Sequence, residues 1–129
     1  MAERGYTLSK AERLSWKRYI DLLFLRGQSF VAYPLRVVYL PVEGTLSVPV
    51  SFLVSVPKKK FKRAVKRNLV KRQVREAYRV RKQGLYDALA LSGKQLLVAF
   101  IYLDKEIASF SEMEKSMTKA LRILQEKIQ

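Results

Sequence analysis

The sequence predicts an α+β fold, an α/β sandwich in which a small mixed sheet packs with helices in the order α-β-β-α-β-α, as one domain over residues 1–129. Three observations predict it. Two neighbouring segments alternate apolar and polar residues with the period of a strand. A third run, Gln95 to Leu103, is rich in Leu, Val, Phe, Ile and Tyr and reads as a buried strand. Helical-period segments lie on both sides of that run, so a strand–helix–strand crossover stands beside a hairpin.

The elements follow in order. Ser9-Lys10-Ala11-Glu12 has the S-x-x-E form of a capping box, so a helix begins near Ser9. It continues, with or without a break, through Trp16, Ile20, Leu23 and Phe24 to a stop at Gly27. Phe30 to Leu40 reads as the first strand, with Leu35, Val37 and Tyr39 on one face and Arg36 and Val38 on the other. The second strand sets Val50, Phe52, Val54 and Val56 against Ser51, Leu53 and Ser55, and a turn near Glu43-Gly44 joins the two. Pro57 ends it, because proline cannot donate to a ladder. A basic helix runs from Arg63 to Lys82 and is closed by Gln83-Gly84; Leu85 to Gly93 is an ambiguous connector. After the third strand, Ser111 with Glu114 forms a second capping-box signature. Met113, Met117, Leu121, Leu124 and Ile128 then recur as a core stripe.

Composition narrows the function classes. With no Cys there is no disulfide, thiolate metal site or cysteine nucleophile, which fits a reducing cytoplasm. With no His, the commonest neutral-pH acid/base and the commonest metal ligand are missing as well. The opening MAERGYTLSKAER lacks the apolar core of a signal peptide, and no stretch reaches the ~18 apolar residues of a membrane helix. The charge is lopsided. Residues 58–82 hold 13 of the 26 Lys and Arg and a single acid, Glu76, for a net +12. The remaining chain nets only +3. Such concentration costs self-repulsion unless a polyanion neutralises it, which points to nucleic acid.

On a helical wheel the basic segment divides cleanly. Val70, Val74, Ala77 and Tyr78 form a core-facing stripe. Arg67, Asn68, Lys71, Arg72, Arg75, Arg79 and Lys82 share the adjoining arc, while Lys66, Gln73 and Glu76 lie outside it. Solvated helix faces usually mix signs, because like charges at i,i+4 destabilise by a few tenths of a kcal/mol. An arc of one sign is therefore read as a phosphate-facing surface, and six neutralised phosphates imply a log–log salt slope on the order of −4 to −5. Asn68 differs from its neighbours. An amide can bond a base edge, a 2′-hydroxyl or a hydrated metal ion; the ordinary alternative is a backbone-bonding Asn.

These residues carry a family resemblance. Ala64-Val65-Lys66-Arg67-Asn68-Leu69-Val70-Lys71-Arg72-Gln73-Val74-Arg75 resembles the A-V-x-R-N-x-x-K-R-x-x-R signature of the bacterial ribonuclease P protein component. The third member of the family's R-N-R triplet is replaced by Leu69. Ser55-Val56-Pro57-Lys58-Lys59 is similar to its S-V-S-K-K strand end, with Pro57 in place of serine. Ser9 to Leu14 resembles the opening S-K-x-E-R-L. Asp21-Leu22-Leu23-Phe24 with Gly27 resembles D-F-x-x-V-F-x-x-G in a shifted register.

The resemblance implies a protein subunit that binds a catalytic RNA and the 5′ leader of precursor tRNA. It would assist metal-dependent removal of the leader, with the chemistry on the RNA and no catalytic residue on the protein. It implies RNA contacts from Lys58, Lys59, Arg63, Lys66, Arg67, Asn68, Lys71, Arg72, Arg75 and Arg79. It also implies a leader cleft between the basic helix and the sheet, for which Phe24, Tyr39, Phe52 (or Val54) and Ile20 are the candidates; stacking of bases on such surfaces is sequence-tolerant. Trp16 reads as a packing residue or surface contact rather than a reader of bases. The scattered acids suggest no protein-held metal, so the holoenzyme's Mg²⁺ would sit on RNA phosphates. No protein partner and no membrane are expected, and a left-handed β-α-β crossover follows from the resemblance alone. A ribosomal-type RNA binder, a helix-turn-helix DNA binder and an independent nuclease are the competing classes. The last two fit poorly, because the basic helix follows a strand and no acidic cluster is present.

Overall fold

In the computed structural model, which describes residues 8–128, a four-stranded sheet has helices on both faces. A short 3-10 turn, Lys10–Glu12, precedes α1 (Lys17–Arg26). Strands β1 (Gln28–Ala32), β2 (Leu35–Val42) and β3 (Val50–Ser55) follow, then α2 (Ala64–Arg81), α3 (Gln83–Ser92), β4 (Gln95–Tyr102) and α4 (Phe110–Lys127). The sheet order is β1-β2-β4-β3. The β1–β2 and β2–β4 pairs are antiparallel and β3–β4 is parallel.

The fold class and the mixed sheet agree with the expectation, the opening helix takes the broken form that the reading allows, and three local readings differ. The opening helix is two pieces, because Arg13 leaves the 3-10 turn in extended conformation and Arg13 and Leu14 run along β3 instead. The predicted first strand is a hairpin, since the chain reverses at Tyr33-Pro34 and Pro34 has no N–H for a ladder. Consequently β2 and β3 are not paired with each other. The strand between them is β4, whose residues 96–100 are buried on both faces, the signature of a central position. Finally, Gln83-Gly84 does not end the helical region. The chain bends at Lys82 and α3 continues, with Leu85 and Leu89 on its buried face.

The N-cap of α4 is Ser109, two residues before the predicted cap. Ser109 accepts from the Glu112 backbone N–H, and the Glu112 carboxylate accepts from the Ser109 N–H. Its predicted stripe is buried throughout, from Met113 to Ile128. Together with the apolar faces of α2 and α3 it packs on one side of the sheet against Val37, Tyr39, Phe52, Val98 and Phe100. The other side carries α1. There Leu23 and Leu14 pack on Val38, Leu97 and Ala99. Gly27 is required where α1 meets β2: a Cβ there would lie 2.3 Å from the Leu23 carbonyl oxygen and about as close as contact permits to Val38.

The N-terminal turn is locked to the opposite end of the basic helix. Lys82 Nζ donates to Glu12 Oε2 at 2.8 Å, and both side chains are buried. The Tyr86 hydroxyl donates to the same carboxylate and accepts from Tyr78, while the Ser9 N–H donates to Glu12 Oε1 at 2.8 Å. Leu14 N–H also donates to the Phe52 carbonyl at 2.7 Å, so this segment covers part of the β3 edge.

Burial alone would raise the Glu12 carboxyl, but bonds from Lys82, Ser9 and Tyr86 outweigh it and hold the group below the ordinary carboxylate range. Its share of stability is therefore complete above the unfolded value, about 4.5, and is lost as pH falls through the lower folded value. Glu12→Gln should strand the buried Lys82 ammonium and cost about 3 kcal/mol in urea denaturation at pH 7. The same variant should flatten the stability profile below about pH 4.5. Gly27→Ala should cost about 1–3 kcal/mol by the same measurement, because the atom it meets is backbone.

Candidate nucleic-acid interface

The basic helix carries its charge on the side the core leaves free. Val70, Val74, Ala77 and Tyr78 have no exposed surface, as the wheel predicts. Lys66, Asn68 and Arg72 are exposed, and Lys71, Arg75 and Arg79 are half-buried. Arg63 is the N-cap residue, and no acid occupies the first turn of α2. Cations therefore crowd an end where the helix dipole favours anions, an arrangement that does not favour the helix itself.

Two grooves flank the helix. The first, about 450 Å³, is lined by Asn68, Arg72, Arg75 and Arg79 of α2 together with Leu8, Glu76 and Arg13. Arg13 comes from the N-terminal segment, and the sequence reading missed it because its place depends on the Glu12–Lys82 pair. Burial, and then the Arg13 charge, hold the Arg75 guanidinium below its usual range. Two cations pressed together in this way are a local excess that an anion would relieve. The second groove, also about 450 Å³, gathers Lys60, Lys62, Arg63 and Lys66 with Lys105 and Glu106 at the start of α2.

Three positions on the predicted arc behave differently. Lys82 is 3% exposed and belongs to the Glu12 pair, so it is removed from the phosphate-facing set. The Arg67 guanidinium donates to the carbonyls of Phe61 and Lys62 at 2.7 and 2.9 Å, bracing the loop between β3 and α2. Arg79 donates to Glu76 one turn back, and that bond holds the Glu76 carboxyl below its ordinary range. Lys58 and Lys59 are exposed on the turn after β3 and line neither groove.

The four expected cleft residues are not on one surface. Tyr39 and Phe52 are 3% and 2% exposed, inside the core on the α2–α4 face of the sheet. Phe52 sits 4.3 Å from the Tyr78 ring, and the Tyr39 hydroxyl donates to Gln28. Val54 is buried there too. Neither ring can receive a base. The reason is register: with a period of two, Tyr39 points into the main core and its neighbour Val38 points to the α1 face. Ile20 packs against the cluster of Leu14, Leu23, Val38, Leu97 and Ala99 on that α1 face, and Phe24, one turn further along α1, is 49% exposed. Trp16 is not a packing residue: it is 65% exposed and stacked on Tyr19 at 5.5 Å. Among the described residues no group of three or more Asp or Glu side chains could hold a metal, and no helix is long and apolar enough to cross a membrane.

Comparison with known proteins identifies the family. The family model described as Ribonuclease P matches residues 8–125. The ribonuclease P protein component of Porphyromonas gingivalis is 46% identical over 116 residues, covering 90% of this chain and 85% of that protein. The one from Chlorobaculum tepidum is 38% identical over 107 residues, covering 78% and 70%. Among solved structures, the RNase P protein of Thermotoga maritima superposes with a TM-score of 0.67 at 25% identity, covering 87% of this chain and 96% of that one. The chain therefore belongs to the ribonuclease P protein component family, the protein part of an endoribonuclease that works with an RNA subunit in tRNA 5′ processing.

Proposed function

We propose that this chain docks the ribonuclease P RNA through the two grooves of α2 and holds the single-stranded 5′ leader of precursor tRNA along the α1 face of the sheet. The observation that carries the RNA-binding part is the groove in which Asn68, Arg72, Arg75 and Arg79 meet Arg13. Its charge is nearly all of one sign, and its one carboxylate, Glu76, is already engaged by Arg79. Phosphates are the anions that such an array of guanidinium groups matches in charge and geometry. Lys58, Lys59, Arg63, Lys66 and Lys71 extend the positive surface beyond the groove and would add further backbone contacts.

Ile20 and Phe24 are the proposed leader contacts that remain after Tyr39 and Phe52 are assigned to the core. Their apolar surfaces suit unpaired bases of any sequence, which a subunit serving many precursors requires. Among the described residues no three acidic side chains gather where a metal could be held, and the reaction's metal is proposed to be held by RNA phosphates. Asn68, an uncharged donor and acceptor among cations, is suited to the 2′-hydroxyls, base edges or metal-bound water beside those phosphates. A cytoplasmic site of action is part of the same proposal, since its substrate is made there.

Purified chain alone should leave precursor tRNA uncut and should restore cleavage when added to the matching RNA subunit at physiological salt. A chain that neither binds nor activates that RNA would overturn the reading. Equal affinity of the complex for leader-bearing and mature tRNA would favour a purely structural RNA binder. Arg72→Ala should weaken assembly with the RNA about tenfold and lower the magnitude of the log–log salt slope by roughly 0.7–1, read by filter binding across a salt series. Asn68→Ala should leave assembly nearly unchanged while raising the Mg²⁺ concentration needed for half-maximal cleavage.

A further inference from the structure

We infer that the stacked rings of Trp16 and Tyr19 form a platform for unpaired leader nucleotides one helical turn along α1 from those on Ile20 and Phe24. The inference rests on the leader-binding reading above and adds a subsite to it. A groove of about 350 Å³ lies between the N-terminal segment and the loop joining β2 to β3, and Trp16 and Tyr19 form part of its wall. The two rings are 5.5 Å apart and 25° from parallel, so they present a continuous aromatic surface. Trp16 is 65% exposed, so most of the ring contributes nothing to the core. An exposed indole braced by a second ring is what stacking of a base requires.

The opposite wall is held in place. The Gln95 side chain accepts from the N–H groups of Thr45 and Leu46 at 3.1 and 2.9 Å and donates to the Leu46 carbonyl at 2.6 Å. The groove is therefore preformed, and little ordering cost remains for a ligand. Its charge selects the ligand: Lys10 and Arg13 line it and no acid does. Arg13 also lines the arginine groove on α2, so one cation joins the two. Finally, Trp16, Ile20 and Phe24 are spaced i, i+4, i+8 along the start of α1, and the Ile20 N–H donates to the Trp16 carbonyl. That spacing places them along one stripe of the helix surface. A strand passing Phe24 and Ile20 meets Trp16 one turn further on, beside Arg13 for its phosphates. Single-stranded RNA with a polyanionic backbone and flat bases matches each of these features.

The test uses the reconstituted RNA–protein complex with three ligands: precursor tRNA with a long leader, precursor with the leader cut to a few nucleotides, and leaderless tRNA. Trp16 is the only tryptophan, so its fluorescence reports on this groove alone. Saturable quenching is expected with the long leader and not with the other two. Trp16→Ala should weaken binding of the long-leader precursor roughly tenfold and leave the short-leader and leaderless ligands unchanged, and Trp16→Tyr should recover most of the loss. Equal weakening of all three ligands, or no weakening, would overturn the platform while leaving the leader reading intact. A wild-type complex that fails to prefer leader-bearing RNA would instead overturn the leader reading and the platform with it.

Discussion

The buried pair of Glu12 and Lys82 is the contact on which the rest of the arrangement depends. It joins residues seventy positions apart and closes a network with Tyr86, Tyr78 and the Ser9 backbone. An ion pair in such a place gains little net stability, because desolvation opposes the attraction. What it does supply is position. It turns Lys82 inward where α2 gives way to α3, and it fixes the N-terminal segment along β3 so that Arg13 stands across from Arg75.

The sheet separates two tasks. Its α2–α4 face buries the aromatic core of Phe52, Tyr78 and Phe100, whose rings pack at 4.3 to 5.9 Å. That packing anchors α2 firmly enough to carry a surface which is electrostatically unfavourable on its own. The α1 face is more thinly covered and leaves Trp16, Phe24 and Leu25 exposed. Exposed apolar groups in a row beside cations do not help the isolated chain. The proposed RNA and leader contacts rest on these two departures from self-sufficiency, the α2 face by its charge and the α1 face by its aromatics.

The differences between the sequence expectation and the folded chain share a cause. Alternation identified β2 and β3 but not which strands pair, because pairing depends on where the doubly buried β4 inserts. The resemblance implies a cleft role for Tyr39, although alternation sets it with Leu35 and Val37 on one face, and that face is the main core. Lys82 looked like its basic neighbours on the wheel, since nothing local distinguishes a lysine that meets a carboxylate from the other end of the chain. Arg67 spends one guanidinium nitrogen on two loop carbonyls, a partnership that no helical wheel displays. Arg13 escaped notice for the converse reason: it lies outside the basic window and enters the groove only through tertiary contacts.

What the sequence by itself determined was whatever depends on neighbours within a turn or two. That includes the core stripes of α2 and α4, the single-signed arc, the buried character of β4 and the family signature from Ala64 to Arg75. Periodicity and charge spacing are local properties, and the chain displays them before it folds. Only the tertiary structure decided strand order, the face on which each aromatic lies, and which cations remain available to a ligand. Those outcomes are set by long-range pairing and by competition for buried space, and no local window contains both partners.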